Sequence, residues 1–323
     1  MHKHDTTIQY VNEDNQLEKI FEIYLSECQY VKLLSPSTIK GYRDVFRTFQ
    51  SISPESTCIK NIHPHTLVEF FHRLGTRIRY VGSQQKIGVR ASTVSTYYNK
   101  LMAFFRWLEV NGYLKRGYIT KVMKRPPAPK YTDERALPLS KVHKIVSSIV
   151  VSTVDDEYLR VRDLTLIYSL LYLGVRRGEL LGLRISDFDF ENKRVYINEK
   201  TSKSEKSRYI PLHPVLSDKV KQLLRLRNER GIVCEYLITS IKKDRKLTVH
   251  GLKHWVERYK RLSGIKFHLH MFRHTFTCEL AKNGADKTSI MELLGHTSSE
   301  MTEIYLRSLR TKNSQKYIEQ LAF

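Results

Sequence analysis

Near the middle of the chain, Lys124-Arg125-Pro126-Pro127-Ala128-Pro129-Lys130 can be neither helix interior nor central strand. Its prolines remove backbone donors and favour an extended path. The polypeptide is therefore expected to divide here into two folded bodies, residues 1–123 and 137–323, joined by a basic linker at 124–136. With 323 residues, 41% of them hydrophobic, the chain is long enough for two real cores.

The first body reads as four helices. Leu17, Ile20, Phe21, Tyr24 and Leu25 recur at helical spacing. Ser35-Pro36 opens a second helix carrying Ile39, Tyr42, Val45, Phe46 and Phe49, with a capping Ser and Pro in its first turn. Pro64 to Leu74 makes a third. Ser92 is expected to cap a fourth, with Val94, Tyr97, Leu101, Phe104, Phe105 and Leu108 on one face, stopped near Gly112. The aromatic stripe has helical spacing, so it belongs to a core rather than to a base-stacking surface. Gly75 to Arg90, with Arg77, Arg79, Lys86 and Arg90, leaves two readings open: a solvated loop, or a flexible basic arm along DNA phosphates.

The second body is mostly helical with one small antiparallel sheet. Helices are expected over Ser140–Val150, Asp156–Leu173, Arg176–Leu183, Pro214–Asn228, Thr248–Leu262, His270–Asn283, Asp286–Leu294 and Thr302–Leu306. Arg194–Asn198 and Arg208–Leu212 read as strands around a polar hairpin tip. The fold class is thus mainly α and multidomain.

A formal net charge of +22 points to a polyanion as partner, most simply nucleic acid. The basic residues are spread along the chain rather than gathered on one amphipathic segment, which disfavours a membrane surface. The four cysteines lie far apart and suggest free thiols in a reducing compartment, the cytoplasm. No acidic or His/Cys cluster suggests a metal. Asp155-Asp156 and Asp187/Asp189 are assigned to a helix start and a turn.

The chemistry gathers in the last quarter. His270 and Arg273 stand one helical turn apart, His296 follows Gly295, and Tyr305 comes nine positions after His296. An Arg binds a phosphate with a rigid fork, a His moves a proton near neutral pH, and a Tyr offers an oxygen nucleophile. Convergence of the three suits work on a phosphodiester. His268 and His274 are assigned to structure.

The pattern H-x-x-R-H, then Leu293-Leu294-Gly295-His296, then Tyr305 resembles the tyrosine recombinases, or phage-integrase family. Gly174-Val175-Arg176-Arg177-Gly178-Glu179-Leu180 looks like that family's first-arginine motif, and Lys203-Ser204-Glu205-Lys206-Ser207-Arg208-Tyr209-Ile210-Pro211-Leu212 like its lysine hairpin. The joint match, in order and at plausible spacing, is specific where each box alone is weak.

The resemblance implies a SAM-like core-binding domain followed by a catalytic domain of the DNA breaking-rejoining fold. It implies Arg176 and Arg273 as a clamp on the scissile phosphate and Lys203, rather than Lys200 or Lys206, as general acid. It further implies His270 as proton acceptor, His296 as phosphate hydrogen-bond donor and Tyr305 as nucleophile. A pair between Arg176 and Glu179 is the plain alternative for that arginine, and it is expected to suit Arg177 or Arg184 better. Lys124 and Arg125 join Arg77, Arg79, Lys86 and Arg90 as candidate DNA contacts. Also implied are a double-stranded recombination site as partner, a homotetramer on paired sites, possible accessory DNA-bending proteins, no cofactor and no membrane. The segment Thr311 to Phe323, with Ile318, Leu321, Ala322 and Phe323, reads as a helix docking on a neighbouring protomer. A type IB topoisomerase and a non-catalytic DNA-binding regulator are the rivals.

Overall fold

The structure, a computed structural model, describes residues 16–127, 136–198, 207–241 and 243–295. Lys203, His296, Tyr305, the helix expected over Thr302–Leu306 and the C-terminal segment lie outside the described residues. The chain divides into two compact units, Met1–Tyr131 and Thr132–Phe323.

In the first unit, α1 (Leu17–Tyr30), α2 (Pro36–Ile52), α3 (Pro64–Thr76) and α4 (Ala91–Val110) surround an aromatic core. Phe21 stacks on Phe46 at 3.8 Å between centroids, and Phe104 meets Phe21 edge-on at 5.0 Å. The aromatic stripe is core, as its spacing requires. Ser35 caps α2 by accepting the Thr38 N–H at 3.3 Å. At α4 the expected boundary shifts: the helix opens at Ala91, one residue ahead of Ser92. After α4 the chain is tied back by the buried Glu109 carboxylate, which accepts the N–H groups of Gly117, Ile119 and Thr120 at 2.8–2.9 Å and the Thr120 hydroxyl at 2.6 Å.

The segment 75–90 is neither a loop nor a flexible arm. It forms an antiparallel hairpin, β1 (Ile78–Val81) and β2 (Gln84–Ile87), with Val81 opposite Gln84 across a two-residue turn. Its base is closed by the Gly88 N–H donating to the Arg77 carbonyl at 2.8 Å. Gly88, at φ +62°, lies against the Gly75 carbonyl, where a Cβ would come within 2.1 Å of the oxygen. The alternation Ile78, Tyr80 and the Gly82-Ser83 turn were the sequence signals for this hairpin.

The second unit is built around α6 (Glu157–Leu173), buried on nearly all sides. Asp156 caps it by accepting the Leu159 N–H at 3.0 Å. Packed on α6 are α5 (Leu139–Ser152), α8 (Pro214–Glu229) and α10 (Leu269–Lys282), while α9 (Val249–Ser263) packs on α5. Between α6 and α8 come the short α7 (Arg177–Gly182) and an antiparallel sheet of β3 (Phe188–Asp189), β4 (Arg194–Ile197) and β5 (Arg208–Pro211) in that order. The two-residue β3 was not expected; its residues were assigned to a turn, and Asp189 does anchor one by accepting the Asn192 N–H at 3.0 Å. Val195, Ile197 and Ile210 bury one face of the sheet. The mainly helical fold with small antiparallel sheets matches the expectation from sequence.

Candidate active site

Three short segments and one helix meet where α6 ends. Gly174 takes φ +57°, turning the chain sharply, and a Cβ there would lie 2.3 Å from the Phe276 ring. Only glycine lets this turn sit against α10. Arg176 follows in extended conformation, as the cap of α7 rather than on the helix. Its backbone N–H donates to the Glu179 carboxylate at 2.8 Å, and its guanidinium donates to the other carboxylate oxygen at 3.1 Å. The Arg–Glu pair that sequence reasoning gave to Arg177 or Arg184 is thus made by Arg176 itself. Arg177 is exposed, and Arg184 pairs with Glu235 at 3.1 Å.

Glu179 is the hub. Its side chain is fully buried, and Arg208 reaches it from β5 with two bonds of 3.1 and 3.2 Å. Arg273, from α10, brings a third guanidinium to 3.9 Å. Among the described residues this one carboxylate faces three cations, so positive charge is in surplus there. Sequence reasoning missed Glu179 and Arg208 as site residues. Arg208 was visible as a strand residue; only the fold brings it onto Glu179.

The third anchor is α11 (Lys287–Leu294). Asp286 caps its start by accepting the Thr288 and Ser289 N–H groups at 2.8 and 3.0 Å, and Gly295 ends it at φ +60°. A helix C-terminus leaves its last carbonyls free and carries partial negative charge. Here arginines take them: Arg208 donates to Leu293 and Arg273 to Leu294, each at 2.7 Å. Arg176 also donates to Leu294 at 3.4 Å, and Arg273 to the Gly174 carbonyl at 2.7 Å. The guanidiniums are fixed from behind, and they differ in access: the side chain of Arg176 is 21% exposed, Arg208 7% and Arg273 3%.

His270 sits in the first turn of α10, one turn before Arg273, and is exposed. Its pKa is pushed below the ordinary histidine value, first by the protein packed around it and then by the charges of Arg273, His268, Arg176 and Arg177. The shift favours the neutral ring, the form that can accept a proton. His268 lies at the cap position of α10 and His274 is buried in it.

The structure therefore brings Arg176, His270 and Arg273 together. Lys203, His296 and Tyr305 lie outside the described residues, though the chain departs from the cluster at Gly295, directly before His296. Arg77 and Arg79 are half-buried on the β1–β2 hairpin of the first unit, where Lys86 and Arg90 are exposed, as are Lys124 and Arg125. Arg79 donates to the Gly88 carbonyl at 2.6 Å. Among the described residues no group of three or more His, Cys, Asp or Glu is placed to hold a metal ion.

A fixed arginine cluster beside a neutral histidine suits phosphoryl transfer, and comparison with known proteins gives it a family. The profile of the phage integrase family matches residues 142–312, more than half of the sequence. The chain belongs to the phage integrase family. It is similar to a tyrosine recombinase of Thermosipho africanus (strain TCF52B), 27% identical over 294 residues that cover 90% of this chain and 95% of that protein. Among solved structures it shares its fold with the XerH site-specific recombinase bound to a palindromic difH substrate, in a post-cleavage complex. That match has a TM-score of 0.67 at 22% identity, over 93% of this chain and 84% of that one. A lambda integrase tetramer bound to a Holliday junction gives 0.67 at 16% identity, over 94% and 81%. Among the described residues no helix is long and apolar enough to cross a membrane.

Proposed function

We propose that this phage integrase family member is a site-specific DNA recombinase that cuts and rejoins duplex DNA through a covalent 3′-phosphotyrosine. The carrying observation is the cluster in which Arg176 and Arg273 are immobilised by Glu179, Gly174 and the last carbonyls of α11. Cations held in advance stabilise the charge that builds on the non-bridging oxygens more in the transition state than in the ground state.

Tyr305 attacks the scissile phosphorus, and His270 takes the phenol proton. The phosphorus–5′ oxygen bond breaks, and Lys203 protonates the leaving oxygen. His296 donates a hydrogen bond to a non-bridging oxygen. The ester energy is kept in the phosphotyrosyl bond, so rejoining needs neither nucleotide nor metal. Four protomers on two paired sites exchange strands in turn through a four-way junction, with segment 311–323 docked on a neighbour. Lambda integrase, tetrameric on a Holliday junction, offers the parallel for this assembly. Residues 1–123 act as the core-binding domain, 124–136 as linker and 137–323 as the catalytic domain. Arg77, Arg79, Lys86, Arg90, Lys124 and Arg125 meet the backbone. The setting is the cytoplasm, in DNA integration, excision or another site-specific recombination, and accessory DNA-bending proteins are compatible with it.

A type IB topoisomerase would share the chemistry and act as a monomer; a regulator that kept the fold would bind DNA without breaking it. One experiment addresses all three. Sites are selected from a random duplex library with Tyr305→Phe protein, then nicked to trap covalent complexes. Wild type should form adducts and Tyr305→Phe none while still binding. Adducts at wild-type level in Tyr305→Phe would overturn the assignment, and no adduct with either protein would favour the regulator. Supercoil relaxation by a monomer would favour the topoisomerase.

A further inference from the structure

Eleven helices account for most of the described residues, and the hairpin β1–β2 is the exception in the first unit. All eight of its strand residues except Arg79 are exposed. They include large apolar ones: Tyr80 is 74% exposed and Ile87 75%. An apolar patch left in water marks a surface with a partner. The hairpin's charge says which kind. From Thr76 to Arg90 there are four cations, Arg77, Arg79, Lys86 and Arg90, and no Asp or Glu. We infer that β1–β2 is a preformed ribbon that enters the major groove of the recombination site end-on and reads bases there. This rests on the recombinase reading and adds a specificity element to it.

The dimensions fit. The rungs run Arg79↔Lys86, Tyr80↔Gln85 and Val81↔Gln84, then the turn at Gly82-Ser83. At ~3.3 Å per residue the turn lies about 10 Å beyond the cationic rung, and the major groove is ~8.5 Å deep and ~12 Å wide. With the tip at the groove floor, the Arg79–Lys86 rung stands at the rim, with Lys86 level with phosphates and the Arg79 side chain folded back to donate to the Gly88 carbonyl at 2.6 Å, nearer the hairpin base. A two-stranded ribbon fits this width, whereas the minor groove, ~6 Å wide, is too narrow. The tip carries the right chemistry. Gln84 and Gln85 present amides that pair with adenine N6 and N7, and Tyr80 adds a hydroxyl and an apolar ring. The base is rigid, because the backbone bond from Gly88 to Arg77 and the close seat of Gly88 on Gly75 hold the hairpin at the end of α3. A ribbon held this way loses little freedom on binding, unlike a flexible arm.

The test replaces Ile78–Ile87 by Gly-Gly in Tyr305→Phe protein, joining Arg77 to Gly88 where they already touch. Melting temperature and circular dichroism check the fold. Selection from a random duplex library is then run on both proteins. The intact protein should enrich a site, and the excised one should lose preference at a few adjacent positions, adenine among them, while keeping the rest. Gln84→Ala/Gln85→Ala should lose the same adenines with the hairpin in place. Arg79→Ala/Lys86→Ala should weaken all sequences alike and reduce the slope of log K on log salt by about 2. An enriched site unchanged by excision, with an unchanged salt slope, overturns the hairpin's role. So does an unchanged site preference with loss only of complexes holding more than one protomer, which would make the ribbon a contact between copies. No enrichment by the intact protein would overturn the recombinase reading and this inference with it.

Discussion

Among the described residues each unit buries one glutamate, and the two are satisfied in opposite ways. Glu109 accepts three backbone N–H groups and a hydroxyl, all neutral donors, and its work is to lock the chain after α4. Glu179 accepts from Arg176, at the cap of α7, and from Arg208 on β5, and Arg273 on α10 stands 3.9 Å from it. The first arrangement satisfies a lone carboxylate with neutral hydrogen bonds. The second leaves cations in excess of the carboxylate, held where an anion can reach them through Arg176. Burying a charge among others is costly and does not make a fold more stable than apolar packing would. The difference separates a buried charge that serves structure from one that holds a site ready.

The comparison breaks most visibly at Glu179. Glu179→Gln should retain DNA binding, because many other cations hold the backbone, and should lower the rate of covalent adduct formation by about two to three orders of magnitude. That corresponds to ~3–4 kcal/mol of transition-state stabilisation. The measurement is single-turnover adduct formation on a nicked site beside a binding titration. Equal losses in binding and cleavage would make Glu179 an ordinary scaffold residue. Next in size is Glu109→Ala, which strands buried N–H groups and should cost ~2–3 kcal/mol in urea unfolding, with adduct formation unchanged at temperatures where the protein stays folded. Burial raises the Glu109 pKa, but its hydrogen bonds from Thr120, Ile119 and Gly117 bring it below the ordinary glutamate value. A depressed carboxylate stabilises the fold above its unfolded pKa, and this is lost as pH falls through the folded one. The difference between wild type and Glu109→Ala should therefore shrink in acid.

The two glutamates also show what the sequence could carry. Helix periodicity, the Ser35 and Asp156 caps, the strands of β4–β5 and the stop at Gly295 are local patterns, and each stands where the spacing put it. Arg176 and Arg273 were singled out because their motifs are short and ordered, and the fold brings both onto the Leu294 carbonyl. Glu179 was legible only as a neighbour of Arg176, and Arg208 only as a strand residue. Their meeting depends on the register Ile197↔Arg208 and on α11 arriving from about 85 residues later. The β1–β2 hairpin was missed for another reason. Its alternation buries nothing, so the hydrophobic pattern pointed to no core, and its charges drew attention instead.

The smallest expected effect concerns His270, where the cationic surplus around Glu179 should be felt as a titration. Packing around the ring lowers its pKa first, and Arg273, His268, Arg176 and Arg177 lower it further. A lowered pKa keeps the acceptor neutral to more acid pH, so cleavage should hold its plateau below ~6.5, the ordinary histidine value, and fall only as the ring protonates. Arg177 is exposed and not part of the clamp, so Arg177→Ala removes one charge without dismantling the cluster. It should move the His270 midpoint up, and only slightly, since an exposed charge is well screened by solvent. Proton NMR of the ring in DNA-free protein gives the midpoint directly. The acid limb of adduct formation at subsaturating DNA, which reports the free protein, should shift by the same amount and in the same direction. An NMR midpoint above 6.5 would mean that Glu179 and not the surplus of arginines sets the potential at His270, and one that does not rise on removing Arg177 would show that Arg177 adds nothing to it. In the first case the contrast between the two buried glutamates would lose its chemical consequence.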